Sequence, residues 1–194
     1  SYSDLLPYFK KYENRLAEHD EVFRGTEGEL PITDLEYRDP LCEAFIKGAV
    51  EEGIPRNKDY NGKFQEGVSY VQRTTQGRFR VSAAKAFLNP VKSRKNLTII
   101  TNAFVSKVII ENKTATGVEF LKGGIRGKKI ILKANKEVIL SSGVIKSPHL
   151  LQLSGIGPGK YLKEIGIDVI HDLKGVGMNL RDHFAPRLTA RAKN

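Results

Sequence analysis

Residues 137–157, EVILSSGVIKSPHLLQLSGIG, decide the fold, because they pass from an apolar core segment through a turn into a helix without a break. Val138, Ile139 and Leu140 show no polar alternation, which predicts a strand covered on both faces, as in parallel sheets. Ser141, Ser142 and Gly143 end that run, and a glycine lets the backbone turn sharply or approach a ligand where a Cβ would collide. Ser147 is a good N-cap and Pro148 suits a first helical position, so a helix is expected from there, with Leu150, Leu151 and Leu153 as its apolar side. Gly155 stands where helices commonly end in a left-handed residue. Ligands of open α/β sheets bind beyond the carboxyl ends of strands, and helix N-termini offer free N–H groups to phosphate. Positions 141–148 are therefore the first candidate for a cofactor edge, although a plain structural connection would look the same from this stretch alone.

The chain has 194 residues, 40% of them hydrophobic, enough for one sizeable core or for parts of two domains. It starts at Ser1 and its sole methionine is Met178, which predicts a segment of something longer. No run approaches membrane-spanning length, and a single cysteine, Cys42, excludes an internal disulfide framework. The net charge of +10 comes from scattered Lys and Arg, with small clusters at Lys92–Lys95 and Arg126–Lys129 and no aromatic interleaving. That texture predicts a solvated basic surface and argues against nucleic-acid binding.

Ahead of the central stretch, Ser3 is expected to cap a helix in which Leu5, Leu6, Phe9, Tyr12 and Leu16 make a packing face. Asp39 and Pro40 start a second, with Leu41, Phe45, Ala49 and Val50 inward and Gly53 ending it. Ile54–Gly67 reads as a loop with a turn at Asp59–Gly62, long enough to cover something. Arg78 and Arg80 lie two apart, which puts both on one face of an extended segment, and a helix is expected from Ser82. After Pro90 come β-branched runs at Leu97–Thr101, Phe104–Glu111, Gly117–Leu121 and Lys129–Lys133, parted by Asn112-Lys113 and Gly123-Gly124. Pro158–Ile165 reads as a short helix, Asp168–His171 as a strand, and Phe184–Asn194 as the start of another strand.

Gly143, Ser147, Pro148, Leu150, Leu151, Ser154, Gly155, Ile156 and Gly157 together resemble the second signature of the glucose-methanol-choline oxidoreductases. Val144 departs from the small residue usual there, and Ser142-Gly143 from the commoner Ala-Gly. The block Asn61, Gly62, Gln65, Gly67, Gln72, Thr74, Gly77, Arg78, Ser82, Ala83, Ala86, Phe87 and Leu88 is similar to that of choline-dehydrogenase-like members. The run 175-GVGMNLRDH-183 looks like the family's GVGxNLxDH, with Arg181 where Gln is frequent. The resemblance implies FAD as cofactor, a small-molecule alcohol as substrate, and an electron acceptor that is a quinone, a carrier or oxygen. It implies a mixed α/β fold: residues 1–92 in a substrate-binding region, 93–183 in the FAD-binding domain with its β-meander, and 184–194 starting a return to the substrate domain. FAD would then be met by Ser142, Gly143 and Ser147 and, at its adenine, by the backbone of Val105.

The family reaction, proton abstraction by a His base with hydride passing to flavin, places its catalytic His beyond Asn194, so no residue here is expected to be catalytic. GxGxxG is nearly offered by Gly155 and Gly157 and by Gly175 and Gly177, but Lys160 and Leu180 occupy the third places. A phosphate loop fails at Ser154 and Tyr161, and His19, His149, His171 and His183 show no metal spacing. The serines lack a GxSxG elbow, which argues against a hydrolase. A hydroxynitrile lyase on the same scaffold and a nonenzymatic basic α/β module binding polyanions are the rival classes. The expected location is cytoplasmic, with peripheral membrane association as the alternative.

Overall fold

The Ser1 ammonium and hydroxyl both donate to the Asp4 carboxylate (2.5 and 2.8 Å), opening helix α1 (Tyr2–Tyr12) two residues earlier than a Ser3 cap would. The computed structural model describes residues 1–189 and 191. These gather into two compact units, Ser1–Ile99 and Ile100–Asn194. In the first, β1 (Glu13–Arg15) pairs in parallel with β2 (Leu30–Ile32). The Asp39 carboxylate accepts the Leu41 and Cys42 N–H groups (2.9 and 3.3 Å) and so caps α2 (Pro40–Glu51), with Pro40 at the first position. Gly53, at φ +89°, turns the chain out of it as expected. Gly62 N–H closes the Asp59 turn (3.0 Å).

Strands β3 (Thr75–Gln76) and β4 (Phe79–Arg80) form a hairpin on Gly77-Arg78, so Arg78 lies in the turn and does not share a strand face with Arg80. Ser82 starts the helical run to Val91 by accepting the Lys85 N–H (3.2 Å). The expected inward faces are corrected. Helix α1 buries no residue, and in α2 Ile46 is buried while Phe45 is 72% exposed. Periodicity tells that a helix has an apolar stripe; what covers the stripe is decided elsewhere.

Charge holds this unit together from inside. Arg24, buried, donates in a fork to Glu13 (Nε–Oε2 3.0 Å, Nη2–Oε1 2.6 Å) and through Nη1 to Asp59 (2.5 Å) and Gln72 (3.2 Å). Gln72 in turn donates to Asp59 (2.9 Å), and Arg15, also buried, pairs with Asp34 (2.8 Å). Removing one partner of such a buried set strands the others without water, which costs about 3–5 kcal/mol.

The second unit is built on an antiparallel meander, β5 (Ala103–Glu111), β6 (Thr114–Lys122) and β7 (Lys128–Lys133), in that order. Asn112 and Lys113 both take positive φ (51° and 63°), the mirror-image turn that suits strand twist. Leu97–Thr101 is not a strand; the chain turns at Asn102, φ 52°, and pairs only from Ala103. Ser106 is the extra residue of a β-bulge, unpaired between Val105–Phe120 and Lys107–Glu119.

Helix α3 (Gly143–Leu153) packs on β5. The expected start at Ser147-Pro148 is corrected: the helix begins one turn earlier, at Gly143, and Pro148 lies inside it. A proline lacks one donor, so Val144 C=O loses its partner while the turn still closes. Gly155 ends the helix at φ +82°, as expected. Then β8 (Ile156–Gly157) pairs in parallel with β9 (His171–Asp172) across α4 (Gly159–Glu164), whose Leu162 is fully buried. The strand expected at Val138–Leu140 pairs with nothing among the described residues, and Ile139 is 76% exposed. An apolar run marks a segment for burial, but a strand also needs neighbours for its backbone groups. No strand occurs in 184–189; the rest of the strand expected there, apart from residue 191, lies outside the described residues.

Candidate functional site

Chain without regular secondary structure at 137–141 leads into Ser142 and Gly143, and from there the backbone enters α3. Gly143 takes φ +85°, a region that costs an L-residue about 1–2 kcal/mol, and a Cβ built there would meet nothing within 4 Å. The glycine is thus required by backbone conformation and leaves open space beside it. Residues 141–146 are all exposed. Ser142 is the N-cap residue, yet its hydroxyl makes no capping bond; its N–H instead donates to Ser147 Oγ (3.1 Å). Ser147 is therefore no cap. It sits one turn into the helix and fastens the turn that precedes it.

The first-turn N–H groups of a helix have no partner within it. With the Ser142 hydroxyl uncommitted, open space at Gly143 and no acidic residue in the first turn, this edge fits a group bearing anionic oxygens and hydroxyls. Val105, the fourth residue expected at the cofactor, lies on β5 beside the Ser106 bulge, 39% exposed.

What joins helix to sheet is a contact that the sequence did not flag. Ser154, wholly buried, donates its hydroxyl to Leu150 C=O (2.6 Å) and accepts the Val108 N–H of β5 (2.8 Å). The signal was present, since Ser154 stands in the signature, but a small polar residue at a helix end reads equally as a solvated cap.

A second missed feature is a groove of about 570 Å³ along α3, where Val144, His149 and Gln152 face Val176, Met178 and Arg181. The signature stretch and the 175–183 run thus meet at one place. Gln152 donates to Val176 C=O (3.2 Å), and a Cβ at Gly177 would crowd the Gln152 amide at 2.7 Å. A larger hollow of about 1010 Å³ between α1 and residues 19–27 contains none of the family-like positions. His149, His171 and His183 are exposed, and His19 bonds its own loop at Ala17 C=O (2.7 Å). No group of three His, Cys, Asp or Glu able to hold a metal occurs among the described residues.

The sequence profile of the GMC oxidoreductases matches residues 1–185. The chain belongs to the GMC oxidoreductase family. It is 47% identical over 184 residues to an oxygen-dependent choline dehydrogenase of Rhizobium rhizogenes and 45% identical to one of Rhizobium meliloti, covering 95% of this chain and 33% of each relative. Among solved GMC-like structures, an FAD-dependent oxidoreductase of Chaetomium thermophilum superimposes with a TM-score of 0.87 at 34% identity, over 94% of this chain and 33% of that one. Pyridoxine 4-oxidase from Mesorbium loti gives 0.82 at 32% identity, over 90% and 34%. The chain thus spans about a third of the length of the GMC proteins it matches. Its mixed α/β architecture is that of a GMC FAD-binding fold, and no helix among the described residues is long and apolar enough to cross a membrane.

Proposed function

We propose that this chain supplies one edge of the FAD site of a GMC enzyme that oxidises a small-molecule alcohol of the choline type. The observation that carries this is the turn at Ser142-Gly143: left-handed, exposed, open where a Cβ would stand, and opening a helix with no acidic first turn. Gly143 lets backbone come close to the cofactor, the Ser142 hydroxyl is free to bond it, and Ser147 holds the turn in shape. The backbone of Val105 is assigned to adenine. Residues 1–92 are assigned to the substrate side, 93–183 to the FAD-binding domain and 184–194 to the start of a return to the substrate domain. When bound, FAD supplies the redox chemistry, accepting hydride from the alcohol carbon. The chain's own part is to bind and orient; none of its four histidines is assigned as the base. The acceptor is a quinone, a carrier or oxygen.

The test is a chimera in which this chain replaces the matching third of the Rhizobium rhizogenes relative. The chimera is expected to purify yellow and to oxidise choline, and Gly143→Val in it to fold but lose most of its flavin. A well-folded chimera that stays colourless, or a Gly143→Val form retaining stoichiometric flavin, would sink the proposal.

A further inference from the structure

The positive charge of the chain sits almost wholly in its second unit. Sixteen Lys and Arg face fifteen Asp and Glu in Ser1–Ile99, but sixteen face only seven in Ile100–Asn194. The densest part is Leu121–Lys136, with six basic residues and no acidic one, and it contains the β6–β7 hairpin. At the base of that hairpin Lys122 stands directly opposite Lys128. Like charges directly opposite on a sheet are destabilising. Of the four basic residues from Lys122 to Lys129, only Lys129 has a carboxylate partner among the described residues, Glu119 at 2.9 Å.

The tip has a fixed shape. Gly127 N–H donates to Gly124 C=O (2.8 Å), which puts Ile125 and Arg126 at the centre of the turn. A Cβ on Gly127 would collide with the Lys122 carbonyl, so the glycine is needed for closure. Ile125 is 71% exposed at the apex, an aliphatic side chain held in water, with Lys122, Arg126 and Lys128 within three residues of it along the chain.

We propose that the β6–β7 tip docks on an anionic membrane surface, with Lys122, Arg126 and Lys128 meeting lipid phosphate and carboxylate groups and Ile125 entering the boundary between headgroups and acyl chains. A polyanion such as nucleic acid would satisfy the cations but leave Ile125 without reward, and the tip has no aromatic side chain on which a base could stack. A lipid surface satisfies both parts of the tip and relieves the Lys122–Lys128 repulsion.

The chain contains no tryptophan, so Ile125→Trp places the sole indole at the apex. With phosphatidylcholine vesicles containing about one third phosphatidylserine at low salt, its emission is expected to shift to the blue and the protein to sediment with the vesicles. Pure phosphatidylcholine, raised salt and duplex DNA are expected to give no blue shift. In the unlabelled chain, Lys122→Gln and Lys128→Gln should each weaken vesicle binding roughly fivefold, as expected for about 1 kcal/mol per basic side chain. Ile125→Ser should weaken it further, with circular dichroism unchanged in every variant. Equal binding to neutral vesicles, no binding to anionic ones, variants that bind like the parent, or retention by DNA that ignores Ile125 would each overturn the proposal.

Discussion

Ser154 carries two hydrogen bonds from a position with no access to water, and its loss has a definite size. Ser154→Ala would leave the Val108 N–H buried and unpaired, at a cost of about 1–3 kcal/mol. The expected result is a lower urea midpoint with an unchanged slope; a midpoint within error of the parent would show that Val108 finds another acceptor. Ser154→Thr should not restore it, because the added methyl has no room in a fully buried site. Gly143 and Ser154 both belong to the signature, at opposite ends of α3, yet one was legible and the other was not. A glycine after a strand announces special backbone, whereas a serine hydroxyl says nothing of its partner until the fold supplies one. The same holds for Arg24, whose partners Glu13, Asp59 and Gln72 lie 11, 35 and 48 residues away.

Among the elements, the meander shows best how far local chemistry reaches. Strands β5, β6 and β7 and the turns between them follow from β-branched runs and from Asn112-Lys113 and Gly123-Gly124, and they lie within a few residues of their expected limits. Helix α2 follows equally from Asp39-Pro40. The segment at Val138–Leu140 does not, since pairing is a property of two segments and its composition describes one. The meander should also respond to acid. The Lys129 ammonium, and next the Ser106 hydroxyl, hydrogen-bond Glu119 and hold its carboxyl below the usual glutamate range. A carboxyl whose pKa is depressed by folding stabilises above the unfolded value, and that contribution is lost as pH falls through the folded one. Stability measured by urea at a series of pH values should therefore fall on the acid side of the ordinary glutamate range. Glu119→Gln should flatten that limb, and an identical acid limb in the variant would assign it to other groups.

At the scale of the whole molecule, the two units differ in how they are held. The first leans on buried ion pairs, the second on a sheet, a helix and their joint at Ser154. No GxGxxG occurs in the 194 residues, so the chain expressed by itself is expected to be colourless and to show no visible flavin absorption even after incubation with FAD. A stoichiometric yellow protein would mean that the edge at Gly143 holds the cofactor without a pyrophosphate loop. Helix α3 is fastened to the sheet at its carboxyl end and stands free at Gly143, in the manner of a cantilever. Amide exchange along it should be graded, slow near Leu150 and fast near Val144, and anything that grips the free end would stiffen the whole beam.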